Sequence, residues 1–239
     1  MYYLIETKDQ LNRFFKNEGD ECYLQFITNN DEVHPKLQSL CALYLYSFSK
    51  EKGFIINLNH PEAFKLDLPL DYLKSYTNIF VKEKTKALLH LPQLPYTDIQ
   101  SIYYLLKNEP LDPLPKTAAH IFYERKFGAN NVNKIIPLAK HYEALTQEFT
   151  ALNPYITNYK SEASNKWYNE ILTPTLAKMV SEGFKINGDF QKHFDIKEKF
   201  SIEDSKIYGW YNFCTTTGRP TNNFNKINFS ALKHDSGER

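Results

Sequence analysis

Short apolar runs alternate with charged or amide-rich breaks through the first half of the chain, a pattern of strands mixed with helices. Positions 9–16 carry Leu11, Phe14 and Phe15 at helical spacing, and Cys22-Tyr-Leu-Gln-Phe-Ile-Thr28 follows as a β-rich run closed by Asn29-Asn30-Asp31. Leu40-Cys-Ala-Leu-Tyr-Leu-Tyr46 and Phe54-Ile-Ile-Asn-Leu58 predict two further strands. The charged turn Lys50-Glu-Lys-Gly53 between them makes the three a meander. A short helix over 71–76 leads to a fourth strand, Asn78-Ile-Phe-Val81, and Asp98 is placed to cap a helix that runs to Leu106. Helical periodicity dominates from there to Met179.

Two interruptions divide that helical half. Leu152-Asn-Pro-Tyr155 is expected to break the helix that carries Ala139, Tyr142, Leu145 and Phe149. Residues 161–182 then predict a long amphipathic segment with Trp167, Ile171, Leu172, Leu176 and Met179 as its apolar stripe, and Pro174 kinks it or lies near a helix start.

Composition narrows the picture without naming an activity. The 239 residues leave room for one large or two modest domains with a substantial core. With 29 basic against 28 acidic residues, no global basic field draws the chain onto nucleic acid, so any such contact is local. Cys22, Cys41 and Cys214 lie far apart with no Cys-x-x-Cys pair, and read as reduced core residues of a cytoplasmic protein. No basic start with a long apolar stretch opens the chain, and no run approaches the ~18 apolar residues of a membrane span, so no membrane contact is expected. The 17 Tyr and 17 Phe lie in apolar runs and read as core. His120, His141 and His193 are too dispersed for zinc and read as exposed or hydrogen-bonded histidines. Walker loops, Gly-rich dinucleotide turns, Gly-x-Ser-x-Gly elbows and His-Glu-x-x-His are all missing.

The densest chemistry lies at Thr215-Thr-Thr-Gly-Arg-Pro-Thr-Asn222, followed by Ile227-Asn-Phe229 and Asp235-Ser-Gly-Glu-Arg239. Gly218 permits a sharp turn and Pro220 holds Arg219 extended, so a guanidinium is presented from a stiff loop. Thr217, Asn222 and Asn228 add short groups that can bond phosphate, sugar or minor-groove acceptors. Those acceptors sit in similar places for every base pair, so an arginine there binds duplex without reading sequence.

This segment resembles the Thr-x-Thr-Gly-Arg and Ile-Asn-Phe signature that opens the palm of family A DNA polymerases, in a phage-like branch. The resemblance implies DNA contacts by Thr215, Thr217, Gly218, Arg219, Asn222 and Asn228, and a nucleotide or template contact by Arg239. It also implies an α/β fold: an RNase H-like 3′-to-5′ exonuclease-type domain with a mixed sheet, then helices of a shortened thumb and the start of the palm. The corresponding boundaries are 1–155, 156–206 and 207–239. Leu172 to Asn187 resembles the helix and Gly-hydrophobic-x-hydrophobic-Asp turn at the thumb base, with Asn187 in place of the Asp. Only about 27 residues separate Asn187 from Thr215, and positions 191–200 and 202–206 are too short for a two-helix grip at ~1.5 Å of rise per residue.

A proofreading site of this family holds two divalent metals on several carboxylates. Its Asp-x-Glu motif falls on Ile27-Thr28-Asn29, its second motif near Lys84-Thr-Lys-Ala-Leu-Leu-His90, and its Tyr-x-x-x-Asp pair near 135–143, and none carries the expected acids. Asp31, Glu32, Asp98 and Glu143 do not assemble an obvious substitute, so no catalytic or metal-binding residue is assigned within the chain. The resulting expectation is the N-terminal part of a DNA-directed DNA polymerase with an inactive proofreading domain. It binds primer-template and depends on the remaining palm and fingers, in the same or a separate polypeptide, for the magnesium site. An active 3′-to-5′ exonuclease and a non-catalytic DNA-binding or assembly module are the alternatives.

Overall fold

The computed structural model describes residues 2–16, 18–29, 34–107, 125–127, 130–132, 136–157, 166–185, 202–203, 206–215 and 221–223. Its centre is a mixed sheet. A short strand β1 (Leu4–Ile5) and helix α1 (Lys8–Lys16) precede the meander β2 (Glu21–Thr28), β3 (Leu40–Ser47) and β4 (Lys52–Asn57). Helix α2 (Leu70–Leu73), β5 (Asn78–Val81), α3 (Lys84–His90), β6 (Tyr96–Asp98) and α4 (Ile99–Lys107) complete the first unit. The strand order is β1-β4-β3-β2-β5-β6. β3 runs antiparallel to β2 and β4, whereas β5 is parallel to both β2 and β6. This is the RNase H-like exonuclease-type arrangement, extended at one edge by β1 lying parallel to β4.

Both faces of the sheet are covered, which is why β3 reads as an almost unbroken apolar run. Leu43 and Leu45 point into a core with Leu11 and Phe14 of α1 and Leu73 of α2. Ala42 and Tyr44 point to the opposite core, under α5 (Leu138–Thr157), with Leu145, Phe149 and Leu152. All three cysteines are buried and unpaired with one another.

Several elements depart from the sequence expectation. β1 and β6 were not expected; at two and three residues they are too short to show a period and exist because a neighbouring strand pairs them. The expected helical stretch contains the hairpin β7 (Arg125–Phe127) and β8 (Asn130–Val132), where Asn and Val favour helix poorly. α5 continues through Pro154 to Thr157 instead of breaking at 152–155. Buried Ile156, the Tyr155 ring against Tyr103 at 4.9 Å and the Thr157 hydroxyl on the Asn153 and Pro154 carbonyls hold its last turn.

The segment after residue 165 is helical but changes pitch. A π-helical turn, Tyr168–Leu172, precedes α6 (Thr173–Glu182), with Pro174 in the first turn of α6. Gly183 ends α6 at φ 66°, a conformation that favours glycine, and β9 (Phe184–Lys185) follows. Beyond it β10 (Ile202–Glu203) and β11 (Lys206–Ile207) pair as strands, with β11 also on β9, where short helices were expected. A last hairpin joins β12 (Trp210–Asn212) to β13 (Thr221–Asn223).

Candidate functional site

β2, the exit of β5 and α5 converge on one polar cluster. Odd-numbered residues of β2 face α5, which aims Tyr23, Gln25 and Ile27 at that helix. Glu148 of α5 sits among apolar neighbours with only 6% of its surface exposed. Its Oε1 accepts hydrogen bonds from the Tyr23 hydroxyl (3.0 Å) and Gln25 Nε2 (2.7 Å), and its Oε2 from Lys82 Nζ (2.7 Å). Gln25 Nε2 also reaches the Tyr23 hydroxyl at 2.8 Å. Burial, and then the Glu148 charge, push the Tyr23 hydroxyl well above the ordinary tyrosine range, so it stays a proton donor.

The positions expected to match the Asp-x-Glu motif do other work. Ile27 belongs to the apolar core beneath α5, and Thr28 is fully buried. Asn29 closes the following loop, its side chain accepting from the Ser39 N–H at 2.9 Å and its N–H donating to the Ser39 carbonyl. The β2–β3 register shifts at this point, Ile27 facing Ala42 and Thr28 facing Leu40. The magnesium pair implied by the resemblance does not fit these residues. Glu148 is already paired with the Lys82 ammonium, and among the described residues no group of three or more His, Cys, Asp or Glu could hold a metal ion.

The region of the second motif is cationic and structural. Lys84 Nζ is buried and donates to the Tyr96 and Asn169 carbonyls, each at 2.7 Å. Asp98 accepts from the Lys84 N–H at 2.6 Å and the Ser101 N–H at 2.7 Å, so it caps both α3 and α4. Its own N–H donates to Asn169 Oδ1 at 2.7 Å. Burial pushes the Asp98 carboxyl up to about 7 against those N–H bonds, which favour the anion. Glu143 lies exposed on α5, and Asp31 and Glu32 fall outside the described residues. His141 is fully buried beside His60, their rings 6.3 Å apart, while His120 and His193 are not described.

Of the expected DNA contacts, the structure describes Thr215 and the backbone of Asn222; Thr217, Gly218, Arg219, Asn228 and Arg239 lie outside the described residues. Thr215 and Thr221 bound the connection of the β12–β13 hairpin, in which Tyr211 pairs with Asn222. The approach to that connection is docked on the first unit. Phe213 and Cys214 pack with Tyr104 and Leu176, and the Tyr104 hydroxyl donates to the Thr215 carbonyl at 3.0 Å. Lys36 Nζ donates to the Tyr208 hydroxyl at 2.9 Å.

Sequence reasoning missed Glu148 and Lys82. The signal was present, since Glu148 interrupts the apolar face shared by Leu145, Phe149 and Leu152, and an acid there needs a partner. Its partner is not readable, because Lys82 is 66 positions away.

No family model matches the chain, and no curated protein matches it. Solved structures with a likeness in fold include a nuclease in its apo form, at 13% identity and TM-score 0.46, spanning 82% of this chain and 96% of that one. Brucella melitensis NrnC aligns at 10% identity and TM-score 0.45, over 76% of this chain and 93% of NrnC. Escherichia coli RNase D, an exoribonuclease involved in structured RNA processing, aligns at 16% identity and TM-score 0.32, over 72% and 54%. Identities this low leave the chemistry to be argued from the residues themselves.

Proposed function

We propose that the chain is the front part of a family A-type DNA polymerase, in which a nuclease-fold platform without nuclease chemistry carries the primer-template contact segment. The observation that carries this reading is the run Thr215-Thr-Thr-Gly-Arg-Pro-Thr-Asn222 with Ile227-Asn-Phe229 at its spacing, in one chain with an exonuclease-type sheet. In this reading residues 1–155 are the degenerate exonuclease-like domain, 156–206 the connection and shortened thumb, and 207–239 the opening of the palm. Thr215, Thr217, Gly218, Arg219, Asn222 and Asn228 touch DNA, and Arg239 approaches the nucleotide or template. The parent enzyme is a DNA-directed nucleotidyltransferase of the cytoplasm. Its magnesium ions are held by the remaining palm and its nucleotide by the fingers, in the same or a separate polypeptide. No helix among the described residues is long and apolar enough to cross a membrane.

An active 3′-to-5′ exonuclease is the second reading, favoured by the convergence of β2, β5 and α5 on the carboxylate of Glu148. It requires divalent ions to displace Lys82 and to find ligands beyond Glu148. A paired assay in magnesium or manganese separates the two. We expect no degradation of 3′-labelled single-stranded DNA by this chain, and primer extension only when the remaining palm and fingers are added. Metal-dependent degradation that disappears in Glu148→Ala would establish the nuclease instead. Within the first reading, Arg219→Ala should weaken primer-template binding by about 1–3 kcal/mol, the range for a charged hydrogen bond. Unchanged affinity would remove Arg219 from the contact.

A further inference from the structure

We propose that the exposed side of the π turn and α6 is a self-association surface, on which a second copy of this chain docks antiparallel about a two-fold axis near Pro174. The inference goes beyond the polymerase reading and does not depend on it.

The helical stretch from Lys166 to Glu182 buries one side only. Thr173, Leu176, Ala177 and Val180 are buried, whereas Trp167, Ile171, Thr175 and Met179 recur every fourth position and stay exposed. A helix side that faces only water carries polar residues. Here three of the four are large apolar side chains, left 49%, 55% and 38% exposed. Trp167 is braced edge-on against the Tyr168 ring at 5.2 Å, so little ordering is left for binding to impose. The Thr175 hydroxyl already donates to the Ile171 carbonyl at 2.6 Å and needs no polar partner in an interface. At ~1.5 Å of rise per residue this side is about 25 Å long, small for a specific interface, which fits a reversible dimer of micromolar affinity.

The charges beside the stripe select a second copy as the occupant. Lys166 pairs with Glu170 at 3.8 Å and Lys178 with Glu182 at 3.9 Å, with all four side chains more than 60% exposed. Exposed pairs of this kind contribute little, so they can exchange partners at small cost. Lys166 and Glu182 lie eight positions either side of Pro174, and Glu170 and Lys178 lie four. An antiparallel two-fold pairing therefore sets each lysine level with a glutamate of the second copy, whereas a parallel pairing sets like charge against like. It also brings Trp167 within about half a turn of Met179 of the second copy, and Ile171 within the same distance of its Thr175.

The test is sedimentation velocity of the full chain from micromolar to millimolar concentration. The wild type should pass from monomer to dimer, and Ile171→Glu should stay monomeric throughout. Glu170→Lys and Lys178→Glu should each weaken dimerisation about tenfold or more, because each homodimer then carries two like-charge contacts. An equimolar mixture of these two variants should dimerise as the wild type does, since the mixed pair restores both attractions. A wild type that remains monomeric up to millimolar concentration overturns the proposal, and so does a dimer that survives Ile171→Glu. Should Ile171→Glu fail to fold, the mixture decides: variants that associate no better together than apart overturn the two-fold pairing. A monomeric wild type whose Ile171→Glu variant no longer supports primer extension with the added palm and fingers would give this surface to that polypeptide instead.

Discussion

Tyr44 and Gly53 show how much one pair of residues settles at the smallest scale. Gly53 reads in sequence as the end of a charged turn, yet the fold places it inside β4, opposite Tyr46 and diagonal to Tyr44. The Tyr44 ring is fully buried, and its hydroxyl shares a hydrogen bond with that of Thr146 on α5 at 3.1 Å. A Cβ on Gly53 would sit 2.7 Å from two carbons of that ring, which cannot retreat without breaking the contact with α5. Gly53→Ala should therefore destabilise the protein by about 1–3 kcal/mol, the range for overpacking a core. A urea unfolding midpoint equal to that of the wild type would show that Tyr44 has room to move.

Between elements, the decisive event is the π turn ahead of α6. Lys84 Nζ takes the Asn169 carbonyl, while the Thr173 N–H bonds to the Tyr168 carbonyl, one residue further back than in an α-helix. The slip rotates α6 relative to the turn before it. Trp167, Ile171 and Met179, read as part of the apolar stripe, are exposed, with Ile171 at 55%, whereas Leu176, Ala177 and Val180 are buried. Leu176→Ala should cost about 2–5 kcal/mol and Ile171→Ala no more than about 0.5 kcal/mol. Equal losses in chemical denaturation would restore the uninterrupted amphipathic helix.

Across the whole molecule, the stretch from Tyr208 to Thr215 joins the hairpin to the sheet. His34, which caps the 3-10 helix Pro35–Leu37 by accepting from the Lys36 N–H, lies under the Tyr208 ring at 5.4 Å. Burial lowers its pKa from 6.5 to about 4; the Lys36 charge adds to this and a backbone contact with Gly209 opposes it. The unfolded chain therefore takes up a proton before the folded one does. The His34 contribution to stability is complete above about 6.5 and is lost as the pH falls toward 4. Melting temperatures measured from pH 7 to 4 should fall less steeply for His34→Gln than for the wild type. Parallel curves would mean that His34 titrates as freely in the folded chain as in the unfolded one.

The sequence by itself determined the meander, the fourth strand, the capped helix after Asp98 and the buried reduced cysteines. These depend on local periodicity, on turn residues and on burial of apolar runs, all of which act within a few neighbours. It also carried the Thr-Gly-Arg segment, whose chemistry lies in consecutive residues. Only the tertiary structure decided what depends on distant partners. β1 and β6 exist because neighbouring strands pair them, and α5 passes Pro154 because Tyr103 and the core hold its end. The π turn depends on Lys84, 85 positions from Asn169. The buried polar cluster depends on Glu148 meeting Tyr23, Gln25 and Lys82 across as many as 125 positions, a juxtaposition no local pattern encodes.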